Sequence, residues 1–160
     1  MRALDRDEMI NVVYNGRGQQ YFQFGRKEPF VFSLGRVWDE AKNISMLAHI
    51  VSDLQWPVYI AGEGKHPETG EAMELDNVYF LGQLTNKEVT DWLSRASIYA
   101  LPAKYEPFGL TVLEAAMSGC ALVVGKTESM AEVWGNAARY VDPASADELR
   151  DAIENLIEDE

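Results

Sequence analysis

An α/β fold built on a parallel sheet is what this sequence predicts, on three observations. Short apolar runs recur along the chain at Phe30–Leu34, Val58–Ala61, Val78–Gly82, Ile98–Leu101 and Ala121–Val124. Between them lie stretches with apolar residues at three- and four-residue spacing, the pattern of a helix with one inward face. Glycines and charged residues follow the apolar runs directly, as in Gly35-Arg36 and Gly62-Glu63-Gly64. Strands without polar alternation are buried on both sides, so helices should cover both faces of the sheet.

Each element follows from local pattern. After a charged start, Ile10, Val12, Val13 and Tyr14 predict a short strand closed by the Asn15-Gly16 turn. Residues 17–29 read as a loop whose aromatics Tyr21, Phe22 and Phe24 pack. Phe30–Leu34 is a strand ending at Gly35-Arg36. Ile44, Leu47, Val51 and Leu54 then share one helical face, and His49 falls off that stripe onto the surface. Val58–Ala61 is the next strand, and the polar residues 65–77 predict a loop with one short helix. After the strand Val78–Gly82, Thr85 and Glu88 form a capping box for a helix with Val89, Trp92, Leu93 and Ala96 on one face. Ile98–Leu101 and Ala121–Val124 are strands on either side of a further helix. Ser129–Trp134 reads as a short helix, with Ser129 and Glu132 in capping-box spacing, and Arg139–Val141 as a short strand. Ser145–Glu148 caps a last helix with Leu149, Ile153 and Leu156 inward. With no repeat and no Pro- or Ser-rich linker, residues 1–160 are expected to form one compact domain.

Residues 102–119, PAKYEPFGLTVLEAAMSG, hold the densest chemistry. Pro107 steers Glu106 away from the α region, which places Glu106 in a loop. Apolar periodicity begins at Leu110 and ends near Met117, with Gly119 as the C′ stop. A helix starting near Gly109 would leave the amides of Phe108, Gly109, Leu110 and Thr111 free. Such a terminus attracts anions, because its unpaired N–H groups and its positive dipole end point the same way. Gly109 has no side chain to block a ligand. Glu114 lies about one turn inside the helix, and Glu106 sits on the lip before it. Carboxylates for hydroxyls and amides for phosphate suit a sugar phosphate or a nucleotide sugar. The plainer reading is that Glu-Pro is an ordinary helix start and that a single helical Glu is a solvated face residue.

Composition narrows the field. The chain has 160 residues, 47% hydrophobic and 25% charged, which are values of a globular domain with one sizeable core. A net charge of −12 argues against nucleic acid or an anionic membrane as a general partner, so a phosphate ligand needs a local basic patch. The one cysteine, Cys120, excludes an internal disulfide. Its place before Ala121–Val124 marks a buried structural thiol. No apolar stretch at the start reads as a signal peptide, and no run approaches membrane-spanning length, so a soluble cytoplasmic protein is expected. Neither His49 nor His66 has a Cys, His or carboxylate at ligand spacing, and no metal site is expected.

Ligands of parallel sheets bind at the carboxyl ends of the strands. There Arg36 and Lys42 could neutralise a diphosphate as it leaves. Equally, Arg36 could pair with a neighbouring carboxylate, Asp39 and Glu40 both being near it in sequence, and Lys42 could be solvated. Gly62-Glu63-Gly64 misses the dinucleotide fingerprint, because the next glycine is Gly70 and Pro67 intervenes.

The string Glu106-Pro107-Phe108-Gly109-Leu110, then Glu114-Ala115, closed by Ser118-Gly119, resembles the donor-site motif of retaining glycosyltransferases of the GT-B fold. That large family includes glycogen, sucrose and mannosyl transferases, and two Glu separated by seven residues mark its donor site, as Glu106 and Glu114 are here. Gly35-Arg36 followed by Lys42 is similar to the family's Gly-Arg motif with its Lys. The Lys stands one position further from Arg36 than usual, and Asn43 takes the place of the usual Gly. Gly62-Glu63-Gly64 resembles the family's Gly-acid-Gly turn. The likeness runs from about Asn15 to the end.

The resemblance implies a Rossmann-like C-terminal lobe that binds a nucleoside-diphosphate sugar, with residues 1–14 at the lobe junction. By that likeness Glu114 would hold the ribose hydroxyls, and Glu106 would contact the transferred sugar and stabilise positive character at its anomeric carbon. Gly35 and the amides of Phe108, Gly109, Leu110 and Thr111 would hold sugar hydroxyls and phosphate. Arg36 and Lys42 would stabilise the departing diphosphate in place of a metal, with the base near Gly82-Gln83-Leu84. No cofactor is implied beyond the donor substrate. The acceptor would be held by an N-terminal lobe, and without closure of two lobes the donor should bind weakly and transfer little. A non-catalytic nucleotide-binding or interaction module, or a lobe of a nucleotide-sugar epimerase, are the alternatives on the same sheet.

Overall fold

The computed structural model describes residues 13–18, 20 and 22–159. Six strands, β1 (Glu28–Leu34), β2 (Val58–Ala61), β3 (Tyr79–Gly82), β4 (Ala96–Leu101), β5 (Ala121–Gly125) and β6 (Arg139–Val141), form one sheet. Their order is β3-β2-β1-β4-β5-β6, and every pairing is parallel. The chain runs outward from β1 to β3, then crosses back to β4 on the other side of β1. The connections after β1 and β4 therefore leave toward opposite faces of the sheet. That makes the carboxyl ends of these two central strands the switch point, where open α/β sheets take their ligands in a crevice.

The helices are α1 (Met46–Ile50), α2 (Asn86–Arg95), α3 (Leu110–Met117), α4 (Glu128–Trp134) and α5 (Ala146–Glu158). α1 packs on α5 and α2 on α3. Right-handed crossovers put these two pairs on opposite faces of the sheet. β4 is buried along its whole length. In the core, Trp92 of α2 lies against Phe30, Phe32 and Tyr59, with ring centroids 5.5, 5.8 and 4.8 Å away.

Some expected elements differ. Of the predicted strand at 10–14, residues 10–12 lie outside the described residues, while Val13 and Tyr14 are in no strand and Val13 is 89% exposed. The stripe Ile44, Leu47, Val51 and Leu54 does face the core, but the helix is short. Ile44 precedes α1 in a turn, and a 3-10 turn, Val51–Asp53, follows it. Residues 65–77 form turns with one bridge between Lys65 and Ala72, not a helix. Ala96 is not within α2 but caps its C-terminus, its amide donating to Trp92 O, and opens β4. α4 is capped by Thr127, whose hydroxyl accepts from the Met130 amide, and not by Ser129. On α5 the third inward residue is Ile157, with Leu156 only partly buried. The capping box of α2 and the Ser145 cap of α5 stand where expected. Cys120 is buried and donates to the Leu93 carbonyl at 3.3 Å. Burial pushes its thiol up to about 11, while the nearby Lys27 ammonium pulls the other way.

Candidate functional site

The crevice is built from the two loops that leave β1 and β4. The Gly35 amide donates to Ala61 O at 3.0 Å and the Val37 amide to Glu63 O at 2.9 Å. The Gly62-Glu63-Gly64 turn is thus packed on the end of β1. Gly62 has φ +135°, and a Cβ there would lie 1.8 Å from the Gly35 carbonyl oxygen, so close approach alone requires glycine. Asn43 adopts φ +54°, and its side-chain amide donates to Pro102 O and Pro143 O, both at 2.9 Å. Left-handed backbone is what glycine supplies most easily and Asn tolerates. The departure from the usual Gly therefore preserves a turn of that kind and adds two donors. The amides of Lys104 and Tyr105 both reach Ala41 O, which ties the two loops together across the crevice.

Glu106 is held at both carboxylate oxygens. The Lys42 ammonium bonds Oε2, and the Gly109 amide donates to Oε1 at 3.1 Å. The two side chains are 21% and 12% exposed, so Lys42 is not a solvated residue. The Gly109 amide, expected to be free, is taken by Glu106. Among the described residues the amides of Phe108, Leu110 and Thr111 have no partner. Gly109 caps α3 with φ +82°, a conformation that explains the glycine without any ligand.

The backbone carbonyls of the same loop turn the other way, toward α4. Ser129 Oγ donates to Glu106 O at 2.8 Å, and Trp134 Nε1 donates to Phe108 O at 3.2 Å. On the sheet side the Tyr99 hydroxyl lies 2.8 Å from Thr111 Oγ1 and 3.2 Å from Leu34 O. It links the end of β1 to the first turn of α3, and burial raises the phenol's pKa.

Glu114 faces a different space. Its Oε1 accepts from Arg17 Nε at 2.7 Å, and the carboxylate is largely buried. The pair borders a cavity of about 670 Å3 whose lining includes Gly16, Phe22, Asn86 and Thr90. Arg36 is 54% exposed, bonds Asp39 Oδ2 at 2.6 Å, and lies 5.2 Å from the Trp38 ring centre. The structure thus brings Lys42, Glu106 and Gly109 together, leaves the Thr111 hydroxyl on Tyr99, and sets Arg36 on Asp39 beside Gly35. Sequence reasoning missed Arg17, Tyr99, Ser129 and Trp134. Arg17 had a signal, a cation between glycines directly after a turn. The others are ordinary core or helix residues whose partners lie far along the chain.

A parallel sheet whose polar crevice opens between β1 and β4, with a carboxylate on either side of a helix start, defines a Rossmann-like lobe of the GT-B type. Residues 28–159 match the family model for glycosyl transferases group 1, and the chain belongs to that family. It is 28% identical, over 94% of its length and 40% of the relative's, to the MMP alpha-(1->4)-mannosyltransferase of Mycolicibacterium hassiacum. Among solved structures it is similar to Anabaena HepE, crystallised with UDP and glucose. There the TM-score is 0.82 at 20% identity, over 96% of this chain and 49% of that one. It also resembles the C-terminal domain of a glycosyl transferase group 1 family protein from Francisella tularensis. That likeness has a TM-score of 0.68 at 19% identity and covers 89% of this chain and 88% of that domain. The chain spans less than half the length of the curated mannosyltransferases it matches. Among the described residues no helix is long and apolar enough to cross a membrane.

Proposed function

We propose that this chain is the C-terminal, donor-binding lobe of a retaining glycosyltransferase. The enzyme would move a hexosyl group from a nucleoside-diphosphate sugar to an acceptor held by an N-terminal lobe. The observation that carries this reading is the placement of Glu106 and Glu114 on either side of the open α3 amides, at the switch point of the sheet. The mannosyltransferase relative and the UDP and glucose of HepE favour the same substrate class.

In this reading the cavity beside Glu114 takes the nucleoside, with the carboxylate accepting from ribose hydroxyls. The base rests near Gly82-Gln83-Leu84, directly before the α2 residues that line the cavity. The open amides of Phe108, Leu110 and Thr111 receive phosphate and sugar oxygens, backed by the helix dipole. The Glu106 carboxylate, fixed at both oxygens, stabilises positive charge as the glycosidic bond breaks. Lys42 spends one N–H on Glu106, which leaves two for the departing diphosphate, and Arg36 turns from Asp39 to the same group. These cations do the work a metal does elsewhere, so a chelator leaves donor binding unchanged. Retention of the anomer is part of the proposal and is read from the product's stereochemistry.

Calorimetric titration with UDP, GDP, ADP and their hexosyl conjugates tests the reading. One nucleotide should bind, and Glu114→Ala should weaken it by at least about tenfold, the scale of a lost charge-assisted hydrogen bond. If none binds at millimolar concentration, with or without the N-terminal lobe supplied, the donor-lobe reading fails and an interaction module takes its place.

A further inference from the structure

We propose that Ser129 and Trp134 of α4 are positioning residues that set the place of the Glu106 carboxylate; this rests on the reading of Glu106 as the group that meets the transferred sugar. The carbonyl of one residue and the amide of the next point in opposite directions across a trans peptide. Trp134 Nε1 holds the Phe108 carbonyl on the α4 side, so the Gly109 N–H of the same peptide points away from α4. That N–H is the one Glu106 Oε1 accepts. Ser129 Oγ holds the carbonyl of Glu106 itself, and so anchors the backbone from which the carboxylate extends.

One helix therefore governs Glu106 at two points. Ser129 fixes its root, and Trp134 orients the peptide that fixes its tip. Lys42 takes the remaining oxygen from the opposite loop. The grip is reinforced at both ends of α4. Thr127 Oγ1, the cap of the helix, lies 3.1 Å from Ser129 Oγ. The Trp134 ring packs tilted against Phe108, with centroids 6.5 Å apart. Neither Ser129 nor Trp134 needs to touch a ligand for this role. Glu106 precedes a proline and lies in a loop, where its own backbone offers no helix or strand to hold it. A carboxylate that must stand in one place needs its support from another element.

The test uses the 15N-labelled chain with Ser129→Ala, Ser129→Thr and Trp134→Phe, the last removing the N–H while keeping an aromatic ring. Hydrogen exchange at the Gly109 amide should quicken by about tenfold in Ser129→Ala and Trp134→Phe, one hydrogen bond's worth of protection. Ser129→Thr, which keeps the hydroxyl, should restore it. Unchanged exchange at Gly109 in both deletion variants overturns the proposal, whatever the chain binds. Titration with UDP and UDP-glucose supplies the second readout. The variants should keep UDP affinity and lose the extra affinity contributed by the sugar. An equal loss for both ligands would show that α4 merely supports the site as a whole, and would also overturn it. If the unaltered chain binds neither ligand, with or without the N-terminal lobe supplied, the donor reading fails and Gly109 exchange alone decides the role of α4.

Discussion

Asn43 shows how a single side chain joins the halves of the crevice. It sits at φ +54°, is 8% exposed, and donates to carbonyls that follow β4 and β6. Asn43→Ala should cost about 2–4 kcal/mol, the sum of a left-handed alanine and carbonyls left without a donor. Asn43→Gly should recover the backbone part and cost only about 1–2 kcal/mol. Urea denaturation measures both, and equal losses would show that backbone conformation is not what Asn43 supplies. The sequence marked this position as a departure from the usual glycine. It did not show that the substitute keeps glycine's conformation, because φ is set by how the chain closes. Nor did it show the pairing of Glu114 with Arg17, since their contact spans 97 positions. Glu106 and Glu114 themselves were legible, because proline, glycine and helical spacing place them from within one short segment.

At the scale of elements, α2 carries a complete capping box. Glu88 accepts from the Thr85 amide and, secondly, from its hydroxyl, and both hold its carboxyl below the ordinary 4.5. A carboxyl lowered on folding adds stability above its unfolded pKa and loses it as pH falls through the folded value. Glu88→Gln, which resembles the protonated side chain, should therefore lower the melting temperature near pH 7, and the two proteins should converge near pH 2. A deficit that persists in acid would assign it to something other than the carboxylate. α2 could be read from sequence because cap and stripe are both local. α1 could not be bounded so well. Its apolar stripe is real, but Ile44 reaches the core from a turn, and periodicity cannot distinguish that from a helical position. α4 was displaced for a related reason. Ser129 has the spacing of a cap, yet Thr127 takes that task and leaves Ser129 free to hold Glu106.

For the whole molecule, charge and topology decide different things. A net charge of −12 on a chain of this size repels itself, and salt screens such repulsion beyond about 10 Å at 0.1 M. Thermal scans in low salt and in about 0.3 M sodium chloride should show the melting temperature rising with salt. A fall would mean that the surface ion pairs outweigh the net repulsion. Fold class and the sites of the six sheet strands were legible in the sequence alone. The reason is that the central strands of a parallel sheet are buried on both faces and read as unbroken apolar runs between amphipathic ones. The run at 10–14, by contrast, gave no strand at Val13 and Tyr14. The motif residues were likewise visible in their order along the chain. The tertiary structure alone decided which of them meet. Lys42 joins Glu106, Arg17 reaches Glu114, and α4 grips the loop between the two carboxylates. Those contacts depend on the crossover from β3 to β4 and on the packing of α4, long-range features to which no local pattern of residues corresponds.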